Sequence, residues 1–363
     1  MSDYIEGTCF LMCPDKERNM RQREGMLHRF EIDENGQFFG KPKADPGKAI
    51  KSFSRPAAGQ FKADPAQLRP APVLLKTIKY LFTNIATRLD TDWIHIYDFI
   101  FDRLRSVRQD ITIQRLKPKE TIQLLEPIVR FHVYANQRLY ERQISEFDVT
   151  INNQHLLECL KQLLVLYDYK DEGEFFDLNN SDVISGLLNN LVLENNRPEM
   201  EAIYLLVNIG DSTALTRAVT LSREIRMILF RNNINFKIAM KTSLAWYKKN
   251  YISTFRLMQK LPPLLICAAL INLRQIRRDA LEIMSVGYSS TVQHYPIKRL
   301  QQLLLYQDIR FLKLDCSLFN LPFTSETVNF QKKLFKSTER LAYAEMFYSL
   351  ENLHEFLPEI LLP

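Results

Sequence analysis

From about residue 72 onward, apolar residues recur at three- and four-residue spacing, and this helical periodicity most limits the possible fold. In the first stripe the apolar residues share one side of a helix, while Lys76, Lys79 and Arg88 lie on the other. The apolar members are Leu74, Leu75, Ile78, Leu81, Phe82, Ile85 and Leu89. Pro72 suits the first turn of this helix, where its missing N–H is not needed.

Similar stripes continue to about residue 286, and short polar turns such as Gly210-Asp211-Ser212 separate them. Each stripe needs a neighbour, because full burial of one large apolar side chain contributes roughly 1.5 to 3 kcal/mol. Alternating strand patterns are almost absent before residue 287. The sequence therefore predicts an all-α fold, a superhelix of stacked helical hairpins, with residues 73–286 as its body.

Residues 1–72 have a different composition. Between Asn35 and Pro72, glycine and proline are too frequent for a continuous helix, so an extended path is expected. One interpretation is a flexible linker. The other is a strap that aromatic side chains attach to the helical body, since linkers seldom carry many aromatic residues. These aromatic residues are Phe38, Phe39, Phe53 and Phe61.

Residues 287–363 form a third region. Tyr295-Pro296-Ile297 opens one predicted helix, and a second runs from about Asp308 through Leu314. Two short strand-like runs joined by a Ser-Glu turn follow, at 318–324 and 327–335. Two helices followed by a hairpin are typical of a winged helix. The last segment, 338–362, has the pattern of a further amphipathic helix.

Charge and cysteine usage favour a protein that is not secreted. The net charge of +6 permits an acidic partner without requiring one. The five cysteines are unevenly spaced, as in reduced cytoplasmic or nuclear proteins. The first residues lack the pattern of a signal peptide. The most apolar stretch, Leu261–Leu273, contains two prolines and is shorter than the about 20 residues that cross a bilayer. We expect no membrane attachment.

Motifs of known catalytic chemistry are missing from the sequence. The chain has only 10 glycines and no glycine-rich phosphate loop. His354-Glu355 begins like a zinc-protease helix, but Pro358 stands where the second histidine would fall. Cys9 and Cys13 would be half of a zinc site, yet only His28 is nearby, and we expect two small core residues. The sequence thus predicts no cofactor, no metal and no enzyme.

Two groups of charged residues have alternative interpretations. Residues 97–115 carry Asp98, Asp102, Arg103, Arg105, Arg108 and Asp110. Their balanced charges favour ion pairs within one helix over a phosphate-binding face.

The second group is basic and lies in the predicted winged helix. It comprises Lys298, Arg299, Lys332, Lys333 and Lys336. These side chains are candidates for phosphate contacts, with Phe330 and Phe335 available for stacking on bases, and the alternative is a solvated surface.

The opening 7–18 closely resembles the signature of the Sac domain in the Sac/GANP family of nuclear-pore-linked messenger-RNA export scaffolds. The signature residues are Gly7, Thr8, Cys9, Cys13, Pro14, Glu17 and Arg18. Further blocks follow in family order, at 54–59, 64–70, 97–114, 255–257 and 277–281. One departure is Phe10-Leu11, which stands where the family commonly has Pro-Asp.

The resemblance implies a PCI-type superhelix, similar to tetratricopeptide repeats, that ends in a winged helix. It implies protein partners, a second PCI protein and a small acidic protein, and a composite surface for single-stranded RNA. Phe-Gly repeats and a partner-binding helix after the domain are not seen, so the chain resembles the short, single-domain branch. That branch is associated with centrosome duplication, spindle assembly and mitotic progression, which implies the cytoskeleton, the nucleus or both as its location.

Our hypothesis is therefore a non-catalytic scaffold whose partners dock at its C-terminal end. The predicted docking residues are Leu303, Leu304 and Phe311. The main alternative is an RNA-binding subunit of an export complex. An enzyme would need converging titratable groups, for which His132 and Cys159 are the places to look.

Overall fold

The structure is a computed structural model that describes residues 5–38, 40–55, 64–168, 196–336 and 348–362. Within these ranges the chain is mostly helical and has two small two-stranded sheets, so the all-α prediction is confirmed at this level. Two compact units are formed. The first comprises Met1–Phe131 and His354–Pro363, and the second comprises His132–Leu353. Residues 183–193, whose apolar spacing also predicts a helix, lie outside the described residues.

The first unit contains most of the N-terminal elements. They are α1 (Asp15–Glu24), β1 (Ile32–Phe38), β2 (Lys41–Ala44), α2 (Ala71–Tyr80), a π-helical turn (Leu81–Ile85), α3 (Trp93–Gln114) and the first part of α4 (Pro118–Arg138).

The second unit begins inside α4. Its helices are α5 (Val149–Asp168), α6 (Arg197–Val207), α7 (Ser212–Thr220), α8 (Arg223–Met227) with a π-helical turn (Ile228–Asn232), α9 (Ile234–Tyr247), α10 (Tyr251–Met258), α11 (Pro263–Leu270) and α12 (Leu273–Gly287). Then follow β3 (Tyr295–Pro296), α13 (Ile297–Leu303), α14 (Ile309–Leu318) and β4 (Thr327–Val328). A 3-10 helix (Tyr348–Phe356) leads into α15 (Leu357–Leu361), which returns to the first unit.

An aromatic cluster forms the core of the first unit around α3. The Phe131 ring stacks on Phe82 and on Tyr97, at centroid distances of 5.7 and 5.9 Å. Leu357 and Leu361 of α15 are fully buried, and α15 contacts the π-helical turn after α2. The predicted first stripe is buried up to this turn except for Leu75, which is 37% exposed. Leu89 is wrong, because it follows the end of the helix and is 81% exposed.

A β-hairpin lies in the region that the sequence predicts to be free of strands. β1 pairs antiparallel with β2, with Ile32 opposite Ala44 and Gln37 opposite Pro42. Gly40, at φ 73°, is in the left-handed conformation beside the turn. The alternating pattern is missing because β2 is exposed except for Ala44, so little of the hairpin needs apolar residues.

The segment after the hairpin packs on the first unit, as the strap interpretation expects. Ala49 and Ile50 are fully buried, and the Lys51 backbone N–H donates to the Met12 carbonyl oxygen at 3.0 Å. Phe53 anchors this segment to α3, since the centroid of its ring lies 3.8 Å from the Arg105 guanidinium carbon. Phe39, Phe61 and the Phe38 side chain lie outside the described residues.

Asp110 of α3 is fully buried and pairs with two cations from the N-terminal region. Its Oδ1 is 2.6 Å from Lys51 Nζ, and its Oδ2 is 2.7 Å from Arg69 Nε. Arg69 is also fully buried, and its Nη2 donates to Ser106 Oγ at 3.0 Å. The strap is therefore joined to α3 by buried charges.

A second buried carboxylate, Glu31, lies at the start of β1. Arg21 Nη1 of α1 approaches it at 2.5 Å and Arg103 Nη2 of α3 at 3.2 Å, while the Ile50 N–H donates to it at 3.0 Å. Burial would raise the pKa of Glu31, but the charges of Arg103 and Arg21 outweigh it and the pKa is lowered. The carboxylate therefore stays ionised and joins α1, the strap and α3.

These contacts partly correct the expectation for residues 97–115. Asp102, Arg103 and Asp110 do form ion pairs, but the buried partners of Asp110 and Arg103 come from the N-terminal region, not from positions three or four residues away. Spacing along one helix cannot reveal such partners, because they are far away in sequence.

Two polar networks stabilise the second unit. Asn272 Nδ2 donates to the Val207 carbonyl oxygen at 2.8 Å, which joins α6 to the start of α12. Glu201, almost fully buried on α6, accepts from Arg217 Nη2 of α7 at 2.9 Å, and Arg217 Nη1 reaches Asp168 at 2.8 Å. The ends of α5, α6 and α7 are thereby held together.

We predict that Asp110→Asn lowers the free energy of unfolding by about 3 to 5 kcal/mol, because the buried cations Lys51 and Arg69 then lack a counter-charge. Urea unfolding followed by circular dichroism measures the loss. Asp90→Asn, at an exposed pair with Arg88, is the matched control and should change little. Equal effects of both substitutions would contradict a special role for Asp110.

We also predict that the free energy of unfolding decreases as the pH drops below about 6.5, because His28 binds a proton more readily in the unfolded chain. Burial lowers the pKa of this imidazole to about 4, and the charge of Arg103 adds to the effect. Between these pH values the unfolded chain binds a proton that the folded chain does not, so acid favours unfolding.

Comparing urea midpoints at pH 7.5 and pH 5.0 tests this prediction. His28→Asn keeps a side-chain acceptor for the Phe30 N–H, which His28 Nδ1 binds at 3.3 Å, but it does not titrate. The variant should lose less stability on acidification than the original chain. An identical loss in both would show that other groups cause the pH dependence.

Candidate functional site

The terminal module, residues 288–336, follows α12 in the second unit. β3 pairs with β4 so that Tyr295 lies opposite Val328, and an isolated bridge joins Phe323 to Val328. Its core consists of fully buried side chains, namely Ile297, Leu300, Leu304, Leu312, Phe319 and Val328.

The two predicted helices of this module are present, but the two predicted strands are mostly wrong. Residues 318–324 contribute one bridge and 327–335 contribute only Thr327–Val328. Apolar residues of these two segments, such as Leu321 and Phe330, are buried in the core. They lie in irregular segments that form no regular ladder of strand hydrogen bonds. Alternation of apolar and polar residues in a short segment indicates that one side of the segment is buried. Both strands and irregular segments can be buried on one side, so the pattern does not distinguish them.

Arg277 of α12 holds the terminal module in place. Its Nε donates to the Leu304 carbonyl oxygen at 2.9 Å, and its guanidinium carbon lies 3.7 Å from the centroid of the Tyr306 ring. The Tyr306 hydroxyl hydrogen-bonds to Asp315 of α14, and burial raises the pKa of this tyrosine. A buried polar network therefore fixes the loop between α13 and α14 to α12.

The predicted docking residues do not share one environment. Leu304 is fully buried and belongs to the core of the module, so it is no surface for a partner. Leu303 and Phe311 are half-buried. The sequence predicts that the apolar stripe of α13 docks a partner, but most of its residues pack in the core of the terminal module.

An exposed apolar stripe lies on α14. Phe311, Leu314 and Leu318 are spaced by three and four residues, which places them on one face of the helix. Leu314 is 43% exposed, and the other two are half-buried. The opposite face is in the core, through Leu312, Asp315, Cys316 and Phe319. We call Phe311, Leu314 and Leu318 the docking stripe.

Of these three residues, the sequence predicts only Phe311 as a docking residue. The signal was present as a second apolar row on the same short helix, beside the row of Leu312, Cys316 and Phe319. A helix that is apolar on two faces indicates either full burial or a partner.

The predicted nucleic-acid contacts are exposed, but their aromatic partners are not available. Lys298, Arg299, Lys332, Lys333 and Lys336 all lie at the surface of the terminal module. Phe330 is buried in the core, and Phe335 stacks on Phe319 at a centroid distance of 5.2 Å. The expectation that Phe330 and Phe335 stack on bases is therefore not met, because both rings are used for folding.

Gly7 begins the family signature at a place that only glycine fits. A Cβ atom there would lie 2.4 Å from the Leu68 carbonyl oxygen. The Gly7 N–H donates to Gln114 Oε1 at 2.8 Å, and the Thr8 and Cys9 N–H groups donate to the Pro65 and Leu68 carbonyl oxygens. This part of the signature thus lies against residues 65–68 and the end of α3.

The remaining signature residues place α1. Pro14 precedes its first turn, and Arg18 pairs with Asp15 at 2.5 Å. Glu17 Oε1 accepts from the Ser52 N–H at 2.8 Å, which attaches α1 to the strap. Phe10, where the sequence departs from the family, is 76% exposed.

Cys9 and Cys13 are both buried. Burial raises the pKa of Cys13 to about 11, and its sulfur accepts from Arg21 Nη2 at 3.3 Å. Within the described residues, no group of three or more His, Cys, Asp or Glu side chains is placed to hold a metal ion. The two thiols lie in the core, as expected for small packing residues.

Two surface cavities of the second unit are lined entirely by described residues. One, of about 530 Å³, is lined by Lys249, Asp279, Glu282, Ile283, Val286 and Gly287. The other, of about 330 Å³, is lined by Val219, Arg223, Arg226, Met227, Phe230 and Arg231. His132 and Cys159, considered above for an enzyme, line neither cavity. Both are buried, and a His132 ring nitrogen bonds to Asn152 Oδ1 at 2.7 Å.

Among the helices in the described ranges, none combines the length and the apolar character needed to cross a lipid bilayer.

The chain is similar to SAC3 family protein 1 of Schizosaccharomyces pombe, with 25% identity over 365 residues that cover 94% of this chain and 33% of the relative. It is similar to Protein xmas of Drosophila melanogaster, at 33% identity over 179 residues, which are 46% of this chain and 8% of the relative. SAC3 family protein B of Arabidopsis thaliana is 25% identical over 290 residues, 78% of this chain and 16% of the relative.

This chain therefore spans a third or less of the length of these three relatives. The match to the family itself extends from residue 12 to residue 325, from the signature at α1 to the terminal module. Because this match covers most of both units, the chain belongs to the SAC3/GANP family.

Proposed function

We propose that this chain is a non-catalytic scaffold of PCI type, and that its terminal module, a winged helix, binds a protein partner through the docking stripe on α14. The observation that carries the proposal is the partly exposed apolar face of Phe311, Leu314 and Leu318 on a helix whose other face is buried. A face of this kind typically marks a protein contact. The SAC3/GANP family is of the scaffold type.

The order of elements in the module supports the winged-helix assignment. A short strand, two helices and a returning strand follow one another as β3, α13, α14 and β4. The network of Arg277, Tyr306 and Asp315 holds α14 in position, so little ordering is needed when a partner binds. A preorganised face of this kind suits a docking function.

The partners proposed are a second PCI-domain protein and a small acidic protein. The cellular role proposed is centrosome duplication, spindle assembly and mitotic progression, with a location at the cytoskeleton, in the nucleus or both. The support for this role is that the chain belongs to the SAC3/GANP family.

The alternative is an RNA-binding subunit of a messenger-RNA export complex. The observation that favours it is the set of five exposed basic side chains on the terminal module. Lys332 and Lys336 lie on a segment that is held in place, since their backbone N–H groups donate to Ser289 Oγ and to the Phe319 carbonyl oxygen. Positioned cations of this kind can contact phosphates without reading sequence.

We predict that Phe311→Asp combined with Leu314→Asp weakens partner binding at least about tenfold, because two charges replace the apolar centre of the contact. Affinity capture of the tagged full-length chain, with quantitative mass spectrometry of bound proteins, measures the loss. Leu89→Asp introduces the same charge at an exposed leucine of the first unit and should retain the partner.

A thermal melt by circular dichroism shows whether the double variant still folds. Leu304→Asp serves as the comparison for misfolding, since it places a charge in the core of the terminal module. A folded double variant that retains all partners would contradict docking through α14.

For the RNA alternative, replacing Lys332, Lys333 and Lys336 by Glu should abolish binding of a labelled 12-nucleotide oligouridine. Binding by the unchanged protein should weaken as salt rises, with a slope set by the number of phosphates contacted. The triple change Lys76→Glu, Lys79→Glu and Lys119→Glu, at exposed sites in the first unit, is the control. No binding at low salt, or equal loss in both triple variants, would remove this alternative.

A further inference from the structure

Residues 212–278 of the second unit are strongly basic. This stretch contains 13 lysines and arginines and a single acidic residue, Glu224. Its net charge is +12, while the whole chain has +6, so the rest of the chain carries −6. A chain with a mild overall charge therefore concentrates its positive charge in α7–α12, which attracts a negatively charged ligand to this part of the surface.

One of the two surface cavities lies in this stretch, at the end of α7 and along α8 and the π-helical turn. We call it the arginine cavity. Its surface is apolar and is formed by Val219, Met227 and Phe230 together with carbon atoms of Arg223, Arg226 and Arg231, whose guanidinium groups do not face the cavity. Its volume is about 330 Å³, at the small end of the usual range for ligand pockets.

Local contacts hold the lining in position. Arg226 Nη1 donates to the Val219 carbonyl oxygen at 3.1 Å, and Lys237 Nζ donates to the Arg231 carbonyl oxygen at 3.0 Å. The Phe230 ring packs edge-on against the fully buried Phe236, with centroids 5.2 Å apart and an angle of 88°. One arginine and one aromatic ring at the cavity are thus fixed by neighbours in α7 and α9.

The three arginines form no ion pair with a described side chain, and all three are exposed. Other arginines of the same unit are paired, since Arg197 and Arg217 both contact Asp168 and Glu201. The arginine cavity therefore combines three arginines that are unpaired among the described side chains with exposed apolar surface, to which Val219 and Met227 contribute.

We propose that the arginine cavity binds a short acidic segment of a partner protein, with one bulky apolar side chain inside the cavity and flanking carboxylates on Arg223, Arg226 and Arg231. Guanidinium groups bind carboxylates with two parallel hydrogen bonds, which gives orientation as well as affinity. Arginine, methionine and aromatic residues are the types enriched at the centre of protein contacts.

The lining favours a peptide over single-stranded RNA. RNA-binding surfaces offer open aromatic faces on which successive bases stack. Here the single aromatic ring, Phe230, is half-buried against Phe236, and the other apolar residues, Val219 and Met227, are aliphatic. Flexible methionine side chains adapt to apolar side chains of a peptide. This proposal does not depend on the docking stripe, which lies on the terminal module.

Fluorescence anisotropy with the full-length chain tests the proposal. The probe is a labelled nine-residue peptide of alternating Glu and Asp with a central Phe, and its control is the same peptide with Ala in place of Phe. The variant is Arg223→Glu with Arg226→Glu. The matched control is Lys241→Glu with Lys260→Glu, two exposed lysines of the same basic stretch outside the cavity.

We expect the arginine variant to raise the Kd for the probe at least about tenfold and the lysine variant less than about twofold. The Ala peptide should bind at least about fivefold more weakly than the Phe peptide. Unlabelled oligouridine should not displace the probe at physiological salt.

Three results would overturn the proposal. Equal weakening by both variants would indicate general charge attraction. Equal binding of the two peptides would show that the cavity takes no apolar side chain. Displacement of the probe by oligouridine at a similar concentration would identify an RNA surface instead. A thermal melt confirms folding of each variant, and Met227→Glu provides a second test, since a charge in the cavity should also weaken binding of the Phe peptide.

Discussion

Two buried carboxylates, Glu31 and Asp110, determine how the N-terminal region lies on the helical body. Each accepts from two cations, and the four cations come from α1, the strap and α3. Because a buried charge without a partner is costly, other arrangements of these segments are penalised. The pairs thus act less as a source of stability than as a means of selecting one path for a segment rich in glycine and proline.

The sequence was sufficient for most of the described helices from α2 onward, because burying one face of a helix leaves a periodic pattern of apolar residues in the chain. It was less informative about the strap and the hairpin, which are held by partners distant in sequence. The pairing of Asp110 with Lys51 and Arg69 shows the reason, since no local spacing relates these positions. Leu89 shows the converse, since a continuing pattern does not tell where a helix ends.

For the candidate site, the sequence indicated the terminal module and its exposed lysines but not which apolar residues are free. Leu304 and Phe330 are of residue types that often contact partners, but both are buried in the core of the terminal module. Leu314 and the arginine cavity became visible only when burial was known. Apolar side chains that fold a protein and those that bind a partner are chemically the same, so three-dimensional packing has to separate them.

The return of α15 to the first unit has a consequence for synthesis of the chain. Leu357 and Leu361 are fully buried in a unit whose other residues precede position 132. The core of that unit therefore stays incomplete on the ribosome until more than two hundred further residues have been translated. During this interval α15 does not yet cover the apolar turn Leu81–Ile85, and we expect chaperones that recognise apolar surface to bind the nascent chain.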